Sequence, residues 1–306
     1  MSKMLDTEQV VHLGRVHTPV ELKPSGNRKL SPYQHQKKGH ATEATVIVKN
    51  SMGTLSSECK WTTPFCEGCY ATATEVYPNV HALLSHNTGH IKGKRWGDLV
   101  PLFDKLVHDA EVEMIKRNVP LEDRCYRPHW DGELDSFDEL EAWNTVAGYY
   151  PDMKVYMYTR AHHLVKQMLN AKGPGSSHGT TPHGIAANLI IYLSVDKYNI
   201  DTALAVKNFD PKGLIKYAYC GDTWEETEEV ASHFKGERKG ARCPELTGKI
   251  PLIVWETDDD RDLRRSNAME AGMSEKRIPD RVGKGACVEC GMCPDGRNNV
   301  RFAQER

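Results

Sequence analysis

The chain has no apolar run approaching the roughly 20 residues that a membrane-spanning helix needs. Its start, MSKMLDTEQVVHLG, lacks the apolar stretch of a secretory signal. These absences point to a cytoplasmic protein with no membrane partner, in a compartment where thiols stay reduced. No strong charge of either sign is present: the formal net charge is -2, too small for a global field that recruits nucleic acid or anionic lipid. Also missing are a GxGxxG turn, a P-loop, a GxSxG elbow and any internal repeat. The glycine-rich GPGSSHG at 173–179 does not have the spacing of a phosphate cradle. Cysteine, in contrast, is plentiful. Nine in 306 residues of a reduced protein favour metal or cluster ligation over a disulfide framework.

The length suits one large α/β domain or two ordinary ones. Residues 1–42, rich in Pro, Gly, Lys and His, read as an extended basic arm with little core of its own. From Arg15 to Lys60 the chain is locally basic, with Lys23, Arg28, Lys29, Lys37, Lys38 and Lys49, which reads as a solvated surface or a phosphate-contacting patch. From residue 43 strands and helices alternate. The expected strands are EATVIVK (43–49), RCYRPHW from Arg124, MKVYMY (153–158), NLIIYLSV (188–195), LIKYAY (214–219) and IPLIVW (250–255). Helical spacing is clearest from Tyr70 to Asn87, Leu99 to Asn118, Ser136 to Tyr150 and Ala161 to Ala171. Ser136 and Glu139 form a capping box. Such alternation predicts an α/β fold with a parallel sheet, open or closed into a barrel. Residues 256–306 read as an extension, with an exposed charged helix leading into a cysteine-rich end.

The segment ECKWTTPFCEGCYA carries Cys59, Cys66 and Cys69. Three thiolates from one loop suit a 4Fe–4S cluster with one iron left free of protein, whereas structural zinc takes four closed ligands. His81 or His86 could complete a zinc set, although both fall in a helical pattern and read as ordinary helix histidines. The loop follows the first expected strand, at the carboxyl end where α/β barrels place their chemistry.

A strand, a three-cysteine loop and a helix resemble the radical S-adenosylmethionine superfamily, whose open iron binds the cofactor's amino and carboxylate groups. The usual spacing is C-x3-C-x2-C, with an aromatic residue just before the last cysteine. Here it is C-x6-C-x2-C, with Tyr70 just after it. This form is similar to a variant group of bacteriophage-encoded proteins. The resemblance implies a partial (β/α)6 TIM-like barrel over residues 43–255 and further cofactor contacts. HWDGELDS resembles the Gly-Gly-Glu segment, with Asp131 in place of the first glycine. Gly132 and Glu133 would then receive the methionine ammonium, which a carboxylate suits. A polar strand end feeding the Ser136 cap is the plainer reading. LSVD resembles the ribose-contacting strand ending, with Ser194 and Asp196 as the matching residues. Arg160 could neutralise the cofactor carboxylate, and Tyr70 sits beside the cluster.

Near the C terminus GACVECGMCPDG places Cys287, Cys290 and Cys293 at C-x2-C-x2-C, a ferredoxin-like spacing. ARCPELTGK offers Cys243 as a fourth ligand. A second 4Fe–4S cluster with every iron held is expected, and four cysteines also suit zinc. Cys125 and Cys220 fall within strand patterns and read as buried apolar residues.

Together these features predict an iron–sulfur protein. The resemblance implies reductive cleavage of S-adenosylmethionine to a 5′-deoxyadenosyl radical, fed by a reductant such as flavodoxin or ferredoxin. The substrate could be a nucleotide, nucleic acid or a protein. Two other classes stay open: a cluster protein without S-adenosylmethionine turnover, and a zinc-stabilised nucleic-acid-binding protein using the basic arm.

Overall fold

The computed structural model describes residues 21–36, 45–171, 184–210 and 213–305. The glycine-rich stretch at 173–179 lies outside them. In chain order the elements are β1 (Gln34–Gln36), β2 (Thr45–Ile47), α1 (Tyr70–Glu75), α2 (Pro78–Ile91), α3 (Trp96–Lys116), β3 (Cys125–Tyr126) and α4 (Phe137–Tyr149). There follow β4 (Lys154–Thr159), α5 (His162–Ala171), β5 (Leu189–Val195), α6 (Ile200–Lys207), β6 (Lys216–Gly221), α7 (Trp224–Ser232) and β7 (Ala241–Arg242). The last are β8 (Ile253–Trp255), α8 (Asp258–Glu270), β9 (Val282–Gly285), α9 (Ala286–Cys290) and β10 (Val300–Ala303).

Six strands form a parallel sheet in the order β3-β4-β5-β6-β10-β7. The sheet is curled into a half barrel whose edge strands, β3 and β7, do not meet. A smaller antiparallel sheet has the order β2-β1-β9-β8. Two of the six expected strands therefore change place. The run at 43–49 gives β2 and the run at 250–255 gives β8, both in the antiparallel sheet. Their positions in the parallel sheet go elsewhere. The C-terminal β10 inserts between β6 and β7, pairing Val300 with Ala218 and Ala241. Beside β3, residues 50–54 make an irregular parallel ladder. Arg127 N donates to Asn50 O at 2.9 Å, Trp130 N to Met52 O at 2.9 Å and Thr54 N to Asp131 O at 3.0 Å. Nor are the described residues of the N-terminal arm a free segment: Leu22 and Leu30 are buried, and β1 pairs with β2 and β9.

Alternation along each strand assigns the two faces. Val155, Met157, Leu189, Ile191, Leu193, Tyr217 and Tyr219 point to the main core under the helices. There Phe103 of α3 stacks on Trp143 of α4 with ring centroids 4.0 Å apart. Truncating Trp143 would cost about 3–5 kcal/mol. Tyr156, Tyr158, Ile190, Tyr192 and Ala218 point to the other, concave face. The helix expected from Tyr70 to Asn87 is two helices, because Pro78 opens α2 and disfavours helical backbone at Tyr77. Ser136 caps α4 as expected, its hydroxyl accepting from Glu139 N at 3.3 Å. The charged run gives α8, which has no buried residue and is capped by Thr257.

Candidate metal centres

The first cysteine loop begins where the 50–54 ladder ends, so the backbone pairing of Thr54 with Asp131 sets it beside HWDGELDS. Two short 3-10 turns, Ser56–Glu58 and Pro64–Gly68, shape the loop. Thr63 caps the second turn: Cys66 N donates to Thr63 O at 2.8 Å and Thr63 N to Cys66 Sγ at 3.4 Å. Cys69 N donates to Cys66 O at 3.0 Å, and Cys69 then caps α1. Trp61 pins the loop from outside, donating from Nε1 to Leu134 O at 3.2 Å. The three thiols are grouped. Burial pushes Cys59 well above the usual thiol range, and Glu133, Cys69, Asp131 and Cys66 push it further. Burial also raises Cys69, with Asp131 the strongest charge acting on it.

Glu133 belongs to the same mouth. Its Oε1 accepts from Thr159 Oγ1 at 2.6 Å and Leu134 N at 2.8 Å, while Oε2 accepts from Arg160 N at 2.6 Å. Burial nonetheless raises its pKa. Gly132 has φ +80°, and a Cβ there would stand 2.0 Å from Thr54 Oγ1 and 2.7 Å from Thr54 O. Only glycine fits, which explains the residue independently of any cofactor. A shallow cleft opens beside Glu133 between Thr54, Leu55 and Lys92.

Arg160 and Asp196, at the ends of β4 and β5, form an ion pair through Nη1 and Oδ2. The cysteine loop joins it: Thr63 Oγ1 donates to Asp196 Oδ2 at 2.7 Å, and Phe65 lies under the guanidinium at 5.4 Å. Cys220, on β6, is buried close enough to Cys66, Arg160 and Asp196 to be affected by all three, burial being the main cause that pushes its thiol up to about 11. Ser194 is half-buried, and its carbonyl accepts from His162 Nε2 at 3.1 Å and Asn199 Nδ2 at 3.1 Å. The Tyr70 side chain lies outside the described residues. Of the alternative zinc ligands, His81 is exposed on α2, and His86 Nε2 lies 2.9 Å from Glu21 O.

Two features of this mouth escaped sequence reading. His129, buried and with an unusual φ of +49°, places Nε2 2.7 Å from Glu139 Oε1. Glu139 Oε2 accepts from Asp135 N at 2.7 Å, so the acid expected to close a capping box on Ser136 braces the preceding loop instead. Asp131 is 2% exposed, with both carboxylate oxygens buried and no hydrogen bond in good geometry. Burial, then Glu75, pushes its pKa up to about 7, partly offset by the Gly132 amide and His129.

The second group lies on the concave face. Cys243 follows β7, and its amide donates to Arg301 O of β10 at 3.1 Å. Cys287 and Cys290 lie on α9, which Gly291 ends with a left-handed φ of +64°. Burial pushes Cys287 up to about 11 and Cys293 up to about 12, and Cys243 raises both. Cys290 raises Cys293 as well, so all four thiols interact. Tyr158 and Tyr192 stack at 5.1 Å beside this group. The Tyr158 hydroxyl bonds to Cys293, and Arg127 lies 4.8 Å from the Tyr158 ring centre. Cys125 is buried as expected, but against Cys287.

All nine cysteines are free. Among the described residues no three His, Cys, Asp or Glu side chains converge as they would around a single ion. The sequence itself has counterparts. A family model described as Gene product 88 matches residues 20–296. The chain belongs to that family. It is 30% identical over 295 residues to the Gene 88 protein of Mycobacterium phage L5, covering 92% of this chain and 98% of that protein. It is 29% identical over 287 residues to the Gene 88 protein of Mycobacterium phage D29, covering 92% and 97%. No solved structure matches. Membership of the Gene product 88 family thus extends over both cysteine groups as far as residue 296. No described helix is long and apolar enough to cross a membrane.

Proposed function

We propose that this member of the Gene product 88 family is an iron–sulfur protein of the radical S-adenosylmethionine type. One 4Fe–4S cluster would sit on Cys59, Cys66 and Cys69, and a second on Cys243, Cys287, Cys290 and Cys293. The observation that carries the reading is the meeting of Cys59 with Glu133: among charged neighbours, Glu133 acts most strongly on that thiol. They come from segments more than seventy residues apart, yet share the carboxyl-end mouth of the parallel sheet with Arg160 and Asp196. The half barrel would then serve as a partial (β/α)6 barrel, with residues 50–54 standing for its first strand. The donor chemistry fits, because a cluster spreads thiolates over several irons and does not need them converging on one point.

When bound to the reduced cluster, S-adenosylmethionine supplies a 5′-deoxyadenosyl radical for hydrogen abstraction. The chain's own residues would bind and orient. Glu133, fixed by Thr159 and the Arg160 amide, would accept from the ammonium. Arg160 would face the carboxylate, and Ser194 and Asp196 the ribose. The second cluster would tie α9 and β10 to the concave face. We place the protein in the cytoplasm of a phage host, served by a flavodoxin- or ferredoxin-like reductant, with a nucleotide, nucleic acid or protein as substrate.

One observation favours a second reading, cluster binding without turnover: Arg160 and Asp196 already neutralise each other. Adding S-adenosylmethionine to reduced, cluster-loaded protein separates the two. The enzyme reading expects a changed electron paramagnetic resonance spectrum and 5′-deoxyadenosine with dithionite. An unchanged spectrum and no product leave the second reading.

A further inference from the structure

We propose that Asp131 is a fourth protein ligand of the three-cysteine centre, its carboxylate binding the iron that Cys59, Cys66 and Cys69 leave free. The inference rests on the iron–sulfur reading above and adds a donor to it.

Asp131 is 2% exposed, and neither carboxylate oxygen has a hydrogen bond in good geometry. An uncompensated buried carboxylate is among the costliest groups a fold can hold, so buried charges are normally paired or bound to metal. The Gly132 amide acts on the carboxylate but makes no hydrogen bond in good geometry with it. Glu75, which acts on Asp131, is itself acidic and accepts from Ser56 N at 2.6 Å. Glu133 is acidic too and faces Thr159 and Arg160 N. His129, which also acts on Asp131, is committed to Glu139 at 2.7 Å. Three thiols and three carboxylates therefore gather at one mouth, whose guanidinium, Arg160, is already paired with Asp196.

The backbone brings Asp131 to the loop. Its carbonyl accepts from Thr54 N at 3.0 Å, one residue before Leu55 begins the cysteine loop. A Cβ on Gly53 would stand 3.1 Å from Asp131 Cβ, so the small residue lets the two segments close. Asp131 acts on both Cys59 and Cys69, and is the strongest charge felt by Cys69. A positive centre held by those thiols would satisfy the orphaned oxygens. Carboxylate is a hard donor beside soft thiolates, so this iron would be the one most easily exchanged or lost. Coordination involves no electron transfer: the carboxylate donates a lone pair and leaves as carboxylate when displaced.

The test uses the full chain, reconstituted anaerobically, as wild type, Asp131→Asn, Asp131→Cys and Cys59/Cys66/Cys69→Ala. Mild oxidation with ferricyanide should convert the wild-type cluster to a 3Fe–4S form, with loss of about one iron per chain. Refilling that position with 57Fe gives a Mössbauer signal from the exchangeable iron alone. The proposal expects that signal to shift in Asp131→Asn, with iron and sulfide content retained. It also expects Asp131→Cys to keep its fourth iron under the same oxidation, a result that does not depend on the Asn variant loading. Identical signals in wild type and Asp131→Asn, or loss of iron from Asp131→Cys at the wild-type rate, would overturn the proposal and leave the iron–sulfur reading standing. If the triple alanine variant holds as much iron as wild type, no cluster sits on this loop, and both fall together.

Discussion

The Glu133 carboxylate accepts from the Thr159 hydroxyl at 2.6 Å, which joins the loop after β3 to the end of β4. With Oε2 on the Arg160 amide, the side chain is fixed before any ligand arrives. Such fixing lowers the ordering cost of binding.

Glu133 is therefore expected to matter more for cofactor affinity than for iron. Losing a charge-assisted partner costs roughly 1.5–3 kcal/mol, or about tenfold to a hundredfold in affinity. In Glu133→Gln, S-adenosylmethionine titrations followed by electron paramagnetic resonance should shift by that factor at unchanged iron content. An unchanged titration would remove Glu133 from the site.

The two cysteine groups should respond differently to mutation. Cys59, Cys66 and Cys69 lie on a loop pinned independently by Trp61 and Thr63, so their replacement by Ala should remove one cluster and leave the fold intact. Cys290 and Cys293 lead into β10, an interior strand of the parallel sheet. Their replacement should remove the other cluster and lower the melting temperature, since metal-binding energy there supports folding. Iron analysis and thermal denaturation of both variants check this. Equal loss of all iron from either set would indicate one shared centre.

His162 gives the fold a built-in acid sensitivity. Burial, partly offset by the bond to the Ser194 carbonyl, lowers its pKa from 6.5 to about 4. Between those values the unfolded chain takes up a proton that the folded chain refuses. Stability from this group is thus complete above pH 6.5 and falls as pH drops towards 4, by about 3 kcal/mol. Urea unfolding at pH 7.5 and pH 4.5 should show a smaller difference in His162→Gln than in wild type. Equal pH dependence would show that His162 is not buried neutral.

Much of the architecture was legible because local signals and tertiary structure agree. The periodicity of MKVYMY, NLIIYLSV and LIKYAY gives the three central parallel strands, and Ser136 caps α4. What failed has a physical cause. EATVIVK and IPLIVW have the apolar content of barrel strands, but composition does not say which sheet a strand joins, and both pair antiparallel. VRFA is only four residues long and gains its place through pairing with β6 and β7. At the site, HWDGE was readable as a segment that meets the cysteine loop. The His129–Glu139 bond was not, because it links a strained loop residue to a helix cap that already had a local explanation. Asp131 was visible only as a departure from a glycine, and its lack of a partner needed the packed structure.

Metal content is the most direct measurement. Anaerobically purified protein should be brown, with roughly seven to eight irons per chain and matching labile sulfide, as two 4Fe–4S clusters require. Zinc at about one or two equivalents with no labile sulfide would contradict the account and return the four-cysteine group to a structural zinc site.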